Sequence, residues 1–142
     1  MPRIKIDLPG QFVFSTILPV RITDVNYGGH VGNDTILSLI HEARMQYLHH
    51  YGYTELNIAG AGLIMSDVGI EFKSELFYGD LVKASVAIAE MSKISFELYY
   101  KLEKEVNGKA ILVAAAKTGM VCFDYEKKKI TAIPEEVRLK LS

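Results

Sequence analysis

Four polar side chains that can bind a carbonyl group, orient a water molecule or move a proton lie close together in the sequence. They are Asp24, Asn26, His30 and Asn33, within the stretch TDVNYGGHVGND. A carboxylate or a neutral imidazole can accept a proton, and a carboxamide can both donate and accept hydrogen bonds. The stretch therefore predicts either a site for acid–base chemistry or, more simply, a turn that ends in a helix cap.

Glycines separate these polar residues. Gly28, Gly29 and Gly32 allow the backbone to approach a bound ligand closely and to adopt dihedral angles that other residues avoid. A tight turn alone would explain the glycines equally well, so both explanations stay open.

The stretch leads into the one segment with a clear helical period, residues 33–52. Its apolar residues recur three and four positions apart, at Ile36, Leu37, Leu39, Ile40, Ala43, Tyr47 and Leu48. We expect Asn33 or Asp34 to cap this helix and Gly52 to end it in the left-handed conformation. The first turn of such a helix carries unpaired amides and the positive end of the dipole.

The rest of the chain has the alternation of β-strands. One strand-like segment, 11–22, precedes the helix, and four follow it at 62–76, 80–92, 94–106 and 109–125. Asn107-Gly108 predicts a type I′ hairpin, and Pro134 begins a short second helix. We expect a single α+β domain over residues 1–142, in which a five-stranded, mostly antiparallel sheet wraps around the long helix. The four later strands would meander back, and a second subunit would cover the remaining apolar surface.

Composition excludes several classes of function. The formal net charge of −1 gives no reason to expect a nucleic acid or an anionic membrane as partner. Cys122 is the only cysteine, which excludes an internal disulfide and a cysteine-based zinc site. No set of histidines and carboxylates has the spacing of metal ligands, so no metal is expected. The longest apolar run, AILVAAA, is far shorter than the roughly 20 residues that span a membrane, and no signal-peptide core precedes it. We therefore expect a cytoplasmic protein without membrane insertion.

The order of elements, with TDVNYGGHVGNDTIL followed by HEAR and YL, resembles the hotdog-fold acyl-CoA thioesterases. It is most similar to the 4-hydroxybenzoyl-CoA thioesterase-like (YbgC-like) branch, in which an Asp-x-Asp-x-x-Gly loop leads into a helix that contains Glu-Ala-Arg. Weaker matches are YGD at 78–80 and IP at 133–134. The resemblance extends from Ile17 to the end of the chain.

The resemblance implies a homodimer whose sheets join edge to edge, often paired further into a homotetramer. Its active sites would lie at the subunit interface and bind an acyl-CoA substrate. Water would cleave the thioester to a free acid and coenzyme A, with no metal or cofactor.

One residue departs from the family's pattern. The pattern places Asp24 at its first aspartate and Asn26 at its second, which is the catalytic carboxylate of the family. Asparagine cannot accept a proton as a base, although it can orient water or bind the thioester carbonyl. Asn33 stands where some relatives have a histidine or tyrosine. Backbone amides near Gly32 and Asn33 would polarise the carbonyl, and Gly29 would let the backbone approach it.

Several groups could supply the missing base. Asp24 could reach the same pocket or could only brace the loop, and Asp67 interrupts an apolar strand and could act across the interface. Glu42 lies two turns into the helix, where pairing with a basic group is the simpler explanation. His30 could move the proton or tie the loop to backbone carbonyls. Asp34 is better explained as a helix cap.

Three functions remain open. The first is an acyl-CoA thioesterase. The second is a non-catalytic protein that binds acyl-CoA or an acyl-carrier protein, because Asn26 has removed the carboxylate. The third, a hotdog hydratase or dehydratase, ranks last because YGGHVGND has no proline.

Overall fold

A computed structural model describes residues 3–141 of the chain. A one-turn 3-10 helix, Ile22–Asp24, lies between the first strand and the long helix. The other elements, in chain order, are β1 (Phe14–Pro19), α1 (Asn33–His50), β2 (Gly62–Phe72), β3 (Leu81–Ala89), β4 (Ser95–Val106), β5 (Lys109–Asp124), β6 (Lys129–Ile130) and α2 (Glu135–Leu141). The α+β class, both helices and the five predicted strands are confirmed, whereas the two-residue β6 was not predicted.

The sheet has the strand order β1-β3-β4-β5-β2, with β6 paired to β5, and every pairing is antiparallel. Strands β3, β4 and β5 form the predicted meander, and Asn107 and Gly108 have the positive φ angles of its type I′ turn. β2 departs from the meander: it pairs with β5 at the far edge, not with β3. The reason is that α1 carries the chain across the sheet from one edge to the other. β1 and β2 are therefore the two edge strands.

The hydrophobic core lies between α1 and one face of the sheet. β4 alternates as predicted, and its side chains Phe96, Leu98, Tyr100 and Leu102 are almost fully buried. The helix contributes Ile36, Leu39, Ile40, Ala43, Tyr47 and Leu48. Each large apolar side chain removed from water contributes roughly 1.5–3 kcal/mol. This packing fixes the position of α1, and with it the loop that precedes the helix.

The two ends of α1 differ in how they are capped. At the end, Gly52 has φ +85°, its amide bonds the carbonyl of His49, and the amide of Tyr53 bonds that of Leu48, as in a Schellman motif. Gly52 thus ends the helix as predicted. At the start, the cap residue is Gly32, and no side-chain hydrogen bond caps the helix. The prediction that Asn33 or Asp34 would be the cap is wrong.

The opposite face of the sheet is crossed by the N-terminal segment. The amide of Ile6 donates to the Glu71 carboxylate at 2.9 Å, and the ring of Phe12 lies 4.9 Å from the ammonium of Lys101. Within residues 3–141, no helix is long and apolar enough to cross a membrane.

Candidate active site

Asn26 and Gly29 form the turn of a short hairpin that precedes α1. The amide of Asn26 donates to the carbonyl of His30, and the amide of Gly29 donates to the carbonyl of Asn26, both at 3.0 Å. Val25 and Val31 pair as an antiparallel bridge on either side. Gly29 has φ +82°, which suits the third residue of a three-residue hairpin loop. The turn alone is therefore a sufficient reason for glycine at position 29.

The hairpin rests on the segment that leads from β2 to β3. The amide of Val31 donates to the carbonyl of Leu76 at 2.8 Å, and His30 forms a bridge with Phe77. The carboxylate of Asp80 accepts the amide of Phe77 at 2.9 Å. The aspartate of the YGD tripeptide thus holds the backbone that supports the hairpin.

The side chains of Asn26 and His30 lie over two glycines. Oδ1 of Asn26 accepts a hydrogen bond from the amide of Gly28 at 2.9 Å. Nδ2 of Asn26 lies 3.4 Å from the position that a Cβ atom on Gly32 would occupy, and Nε2 of His30 lies 3.3 Å from the same position on Gly28. A Cβ atom at position 28 would press on Asn26 and on the His30 ring, whereas one at position 32 would make only an ordinary contact with Nδ2 of Asn26.

His30 is held by the backbone next to it. Nδ1 of the ring lies 3.2 Å from the carbonyl oxygen of Val31. The neutral tautomer with its proton on Nδ1 donates to this oxygen, which leaves Nε2 free to accept a hydrogen bond. This contact is the backbone tie foreseen for His30, and it is compatible with a role of Nε2 in the site.

The start of α1 presents amides beside Asn26. Gly32 has extended dihedrals (φ −77°, ψ 164°), and its carbonyl accepts the amides of Thr35 and Ile36. The amides of Asn33 and Asp34 come before the first of these hydrogen bonds along the chain, and no side chain caps them. Such amides, with the positive end of the helix dipole, can bind an oxygen atom that gains negative charge.

Asp24 braces the entrance to the hairpin. Its carboxylate is buried, and Oδ2 accepts the backbone amide of Arg21 at 2.8 Å while Oδ1 lies 3.5 Å from the Arg21 guanidinium. With Glu42 it borders a cavity of about 320 Å³ between β1 and α1. Oε2 of Glu42 accepts the side-chain amide of Gln46 at 2.7 Å. Both carboxylates thus have partners on the β1 side of α1.

Asp67 lies on the face of the sheet opposite α1. A β-bulge between Met65 and Asp67 changes the register of β2, and Asp67 pairs with Gly119, over which its carboxylate lies. It shares a cavity of about 320 Å³ with Tyr99 and Lys117. Within one chain, the structure therefore separates Asp67 from the hairpin.

A buried polar network that the sequence reasoning missed lies behind α1. The Arg44 side chain, only 6% exposed, has Nε 3.6 Å from the Glu55 carboxylate, and its Nη1 donates to the hydroxyl of Tyr100 at 3.3 Å. Tyr100 also bonds Thr118 at 2.6 Å, and burial raises the pKa of its phenol. The other Glu55 oxygen bonds His41 at 2.6 Å. The signal was present, because Arg44 lies at helical spacing with the apolar residues of α1.

No group of three or more histidine, cysteine, aspartate or glutamate side chains within residues 3–141 could hold a metal ion. Cys122 is fully buried, and burial raises the pKa of its thiol to about 11, as expected for a residue of the core.

The sequence is similar to a family model and to individual known proteins. A family model described as the thioesterase-like superfamily matches residues 20–141. A putative esterase from Aquifex aeolicus is 26% identical over 120 residues, which are 83% of this chain and 89% of the relative. A 1,4-dihydroxy-2-naphthoyl-CoA hydrolase from Microcystis aeruginosa is 27% identical over 122 residues, or 84% of this chain and 86% of the relative.

Solved structures show the fold. A 4-hydroxybenzoyl-CoA thioesterase variant in complex with 4-hydroxybenzoyl-CoA superposes with a TM-score of 0.82, at 18% identity, over 91% of this chain and 98% of that chain. The arrangement of α1 on an antiparallel sheet is therefore the hotdog fold of these thioesterases.

Proposed function

The chain belongs to the thioesterase-like superfamily, and on this premise we propose that it hydrolyses an acyl-CoA thioester to a free acid and coenzyme A. The observation that carries the proposal is the meeting of the 25–31 hairpin with the uncapped start of α1. There, the Nδ2 group of Asn26 lies beside Gly32, the residue that directly precedes the free amides of the first turn.

The thioester carbonyl binds at the start of the helix. Its oxygen accepts hydrogen bonds from the amides of Asn33 and Asp34, which become stronger as the oxygen gains charge in the tetrahedral intermediate. Nδ2 of Asn26, which lies beside Gly32, binds an oxygen atom, either that of the attacking water or that of the carbonyl. Nε2 of His30 contacts the thioester from the hairpin.

The site is completed by a second copy of the chain that pairs along β2. This edge strand has eleven residues and no proline, and it exposes the apolar side chains of Met65, Val68 and Phe72. β1, the other edge, is shorter and ends in Pro19, which weakens it as a pairing edge. A homodimer through β2, itself able to pair into a homotetramer, would bring the second copy to the strand whose following segment supports the hairpin.

The names of two relatives guide the choice of substrates. One is a 1,4-dihydroxy-2-naphthoyl-CoA hydrolase and another is a 4-hydroxybenzoyl-CoA thioesterase. Aromatic acyl-CoAs therefore belong in the test beside straight-chain ones of short, medium and long length.

The test measures release of coenzyme A from this panel with a thiol-trapping reagent. We expect release well above the uncatalysed rate on at least one substrate. The second candidate, a non-catalytic acyl-thioester binding protein, is favoured by the carboxamide at position 26. A binding protein would bind acyl-CoA, as measured by calorimetry, but would release no coenzyme A from any substrate. That result would contradict the hydrolase proposal. Asn26→Asp restores the family's residue and serves as a reference for what this site can do.

A further inference from the structure

Hydrolysis of a thioester needs a group that accepts the proton of the attacking water. The carboxylates considered so far are engaged elsewhere. Asp24 is bonded to Arg21, Glu42 is bonded to Gln46, and Asp67 lies on the opposite face of the sheet. Asn26 has a carboxamide where the family has its carboxylate.

Asp34 supplies a carboxylate at the start of α1, beside the same glycine as Asn26. It is the second residue of α1, and its carboxylate lies beside Gly32 without capping the helix. Oδ1 of Asp34 lies 2.8 Å from the position that a Cβ atom on Gly32 would occupy, and Nδ2 of Asn26 lies 3.4 Å from the same position. The carboxylate and the carboxamide thus both lie on the Cβ side of Gly32, at the start of the helix.

The carboxylate of Asp34 is also free to react. It is exposed, and no residue between 3 and 141 forms a hydrogen bond or an ion pair with it. A carboxylate with unoccupied lone pairs beside a polarised carbonyl can hold a water molecule and take its proton. A side chain at position 32 would collide with this carboxylate, which gives glycine there a second function.

We propose that Asp34 is the catalytic base of the hydrolysis proposed above, on which this assignment rests. A water molecule held between Asp34 and Asn26 gives its proton to Asp34 as its oxygen forms a bond to the thioester carbon. The electron pair of the carbonyl moves to its oxygen, where the α1 amides bind it. When the carbonyl re-forms, the carbon–sulfur bond breaks, and Asp34 returns the proton to the thiolate of coenzyme A.

Charge is balanced throughout these steps. The negative charge moves from the carboxylate of Asp34 to the carbonyl oxygen, so the site carries one negative charge before and after the attack. Asn26 remains neutral and only orients the water. This division of roles fits its chemistry, because Oδ1 of Asn26 is bonded to the amide of Gly28 and only Nδ2 faces the site.

The experiment compares variants of the full chain on the acyl-CoA that the unmodified protein cleaves best. Asp34→Asn keeps the size of the side chain and removes its charge, and we expect kcat to fall by roughly 10² to 10⁴ with little change in KM. Gly32→Ala, which displaces the carboxylate, should also lower kcat. The matched control is Glu135→Gln, another exposed acidic residue in the first turn of a helix, and it should keep the original kcat.

Moving the carboxylate from position 34 to position 26 gives the sharpest test. Asp34→Ala should lose turnover, and the double variant Asn26→Asp with Asp34→Ala should regain a large part of it. A merely structural role would instead lower the Tm of Asp34→Asn and leave its kcat unchanged. Full turnover in Asp34→Asn would overturn the assignment while leaving the hydrolase proposal intact. No release of coenzyme A by the unmodified protein would overturn the hydrolase proposal itself.

Discussion

The chemistry of the hairpin depends on which atoms of each side chain are already bonded. Oδ1 of Asn26 accepts the amide of Gly28 at 2.9 Å, so the carboxamide offers the site a donor and little else. Nδ1 of His30 lies 3.2 Å from the carbonyl of Val31, so the ring offers Nε2. Asp34 offers both carboxylate oxygens. The atoms that remain unbonded, more than the residue types, therefore determine the role of each side chain. Asn26 is the hydrogen-bond donor, His30 contacts the substrate and Asp34 is the base.

Asp24 and Asp67 differ in what their removal should do. Asp24→Ala removes a buried carboxylate and leaves the amide of Arg21 without its acceptor, so we expect the free energy of unfolding to fall by about 1 kcal/mol. Asp67→Ala removes an exposed carboxylate, and we expect a change within about 0.5 kcal/mol. Urea denaturation measures both. Each variant should keep its turnover per folded molecule. If Asp24→Ala were as stable as the unmodified protein but inactive, Asp24 would replace Asp34 as the base.

Among the elements, α1 was the most predictable and its start the least. The spacing of apolar residues gave its length and its buried face, because burial against the sheet is the dominant force on a helix of this kind. The cap was mispredicted because a polar side chain usually bonds the first amides. Here the cap position is held by Gly32, and the carboxylate of Asp34 occupies the space that a side chain at position 32 would need. The place of β2 in the sheet could not be predicted, since the hairpins β3-β4-β5 are local and its pairing with β5 is not.

The docking of α2 depends on a tyrosine that follows α1. The hydroxyl of Tyr53 donates to the carboxylate of Glu136, and the Lys140 ammonium lies 5.2 Å from the ring centre. Burial first, and then Glu136, raise the pKa of Tyr53 from 10.0 to about 12. The folded protein therefore keeps this proton longer than the unfolded chain does. The resulting stability is complete below pH 10 and is lost as the pH rises from 10 to about 12.

Tyr53→Phe should accordingly lower the free energy of unfolding by about 1 kcal/mol at neutral pH. Its stability should also fall less steeply than that of the unmodified protein between pH 10 and 12. Urea denaturation at a series of pH values measures this difference, and the comparison removes the contributions of other tyrosines that both proteins share. Tyr78→Phe, at an exposed tyrosine, is the control and should follow the unmodified protein. Equal slopes for Tyr53→Phe and the unmodified protein would contradict this account.

At the scale of the whole molecule, the segment that leaves the edge strand β2 connects this edge to the hairpin. α1 carries the chain from β1 to β2, and the segment that leaves β2 supports the hairpin through the carbonyl of Leu76 and the bridge to Phe77. The N-terminal segment crosses the outer face of the sheet and leaves the β2 edge open. A partner that pairs with β2 would therefore lie next to the strand from which this supporting segment leaves.

This arrangement predicts that the quaternary structure and the activity depend on the same edge. In a dimer with two-fold symmetry, β2 of one copy faces β2 of the other, so a new charge on this strand faces its own copy. We expect the double variant Met65→Lys with Val68→Lys to be monomeric by size-exclusion chromatography with light scattering, and to lose turnover because its site is incomplete. Ile17→Lys, at an exposed apolar residue of β1, is the matched control and should remain dimeric and active. If Ile17→Lys is monomeric and the β2 variant is not, the interface lies on β1. If the β2 variant is monomeric but active, one chain contains the whole site.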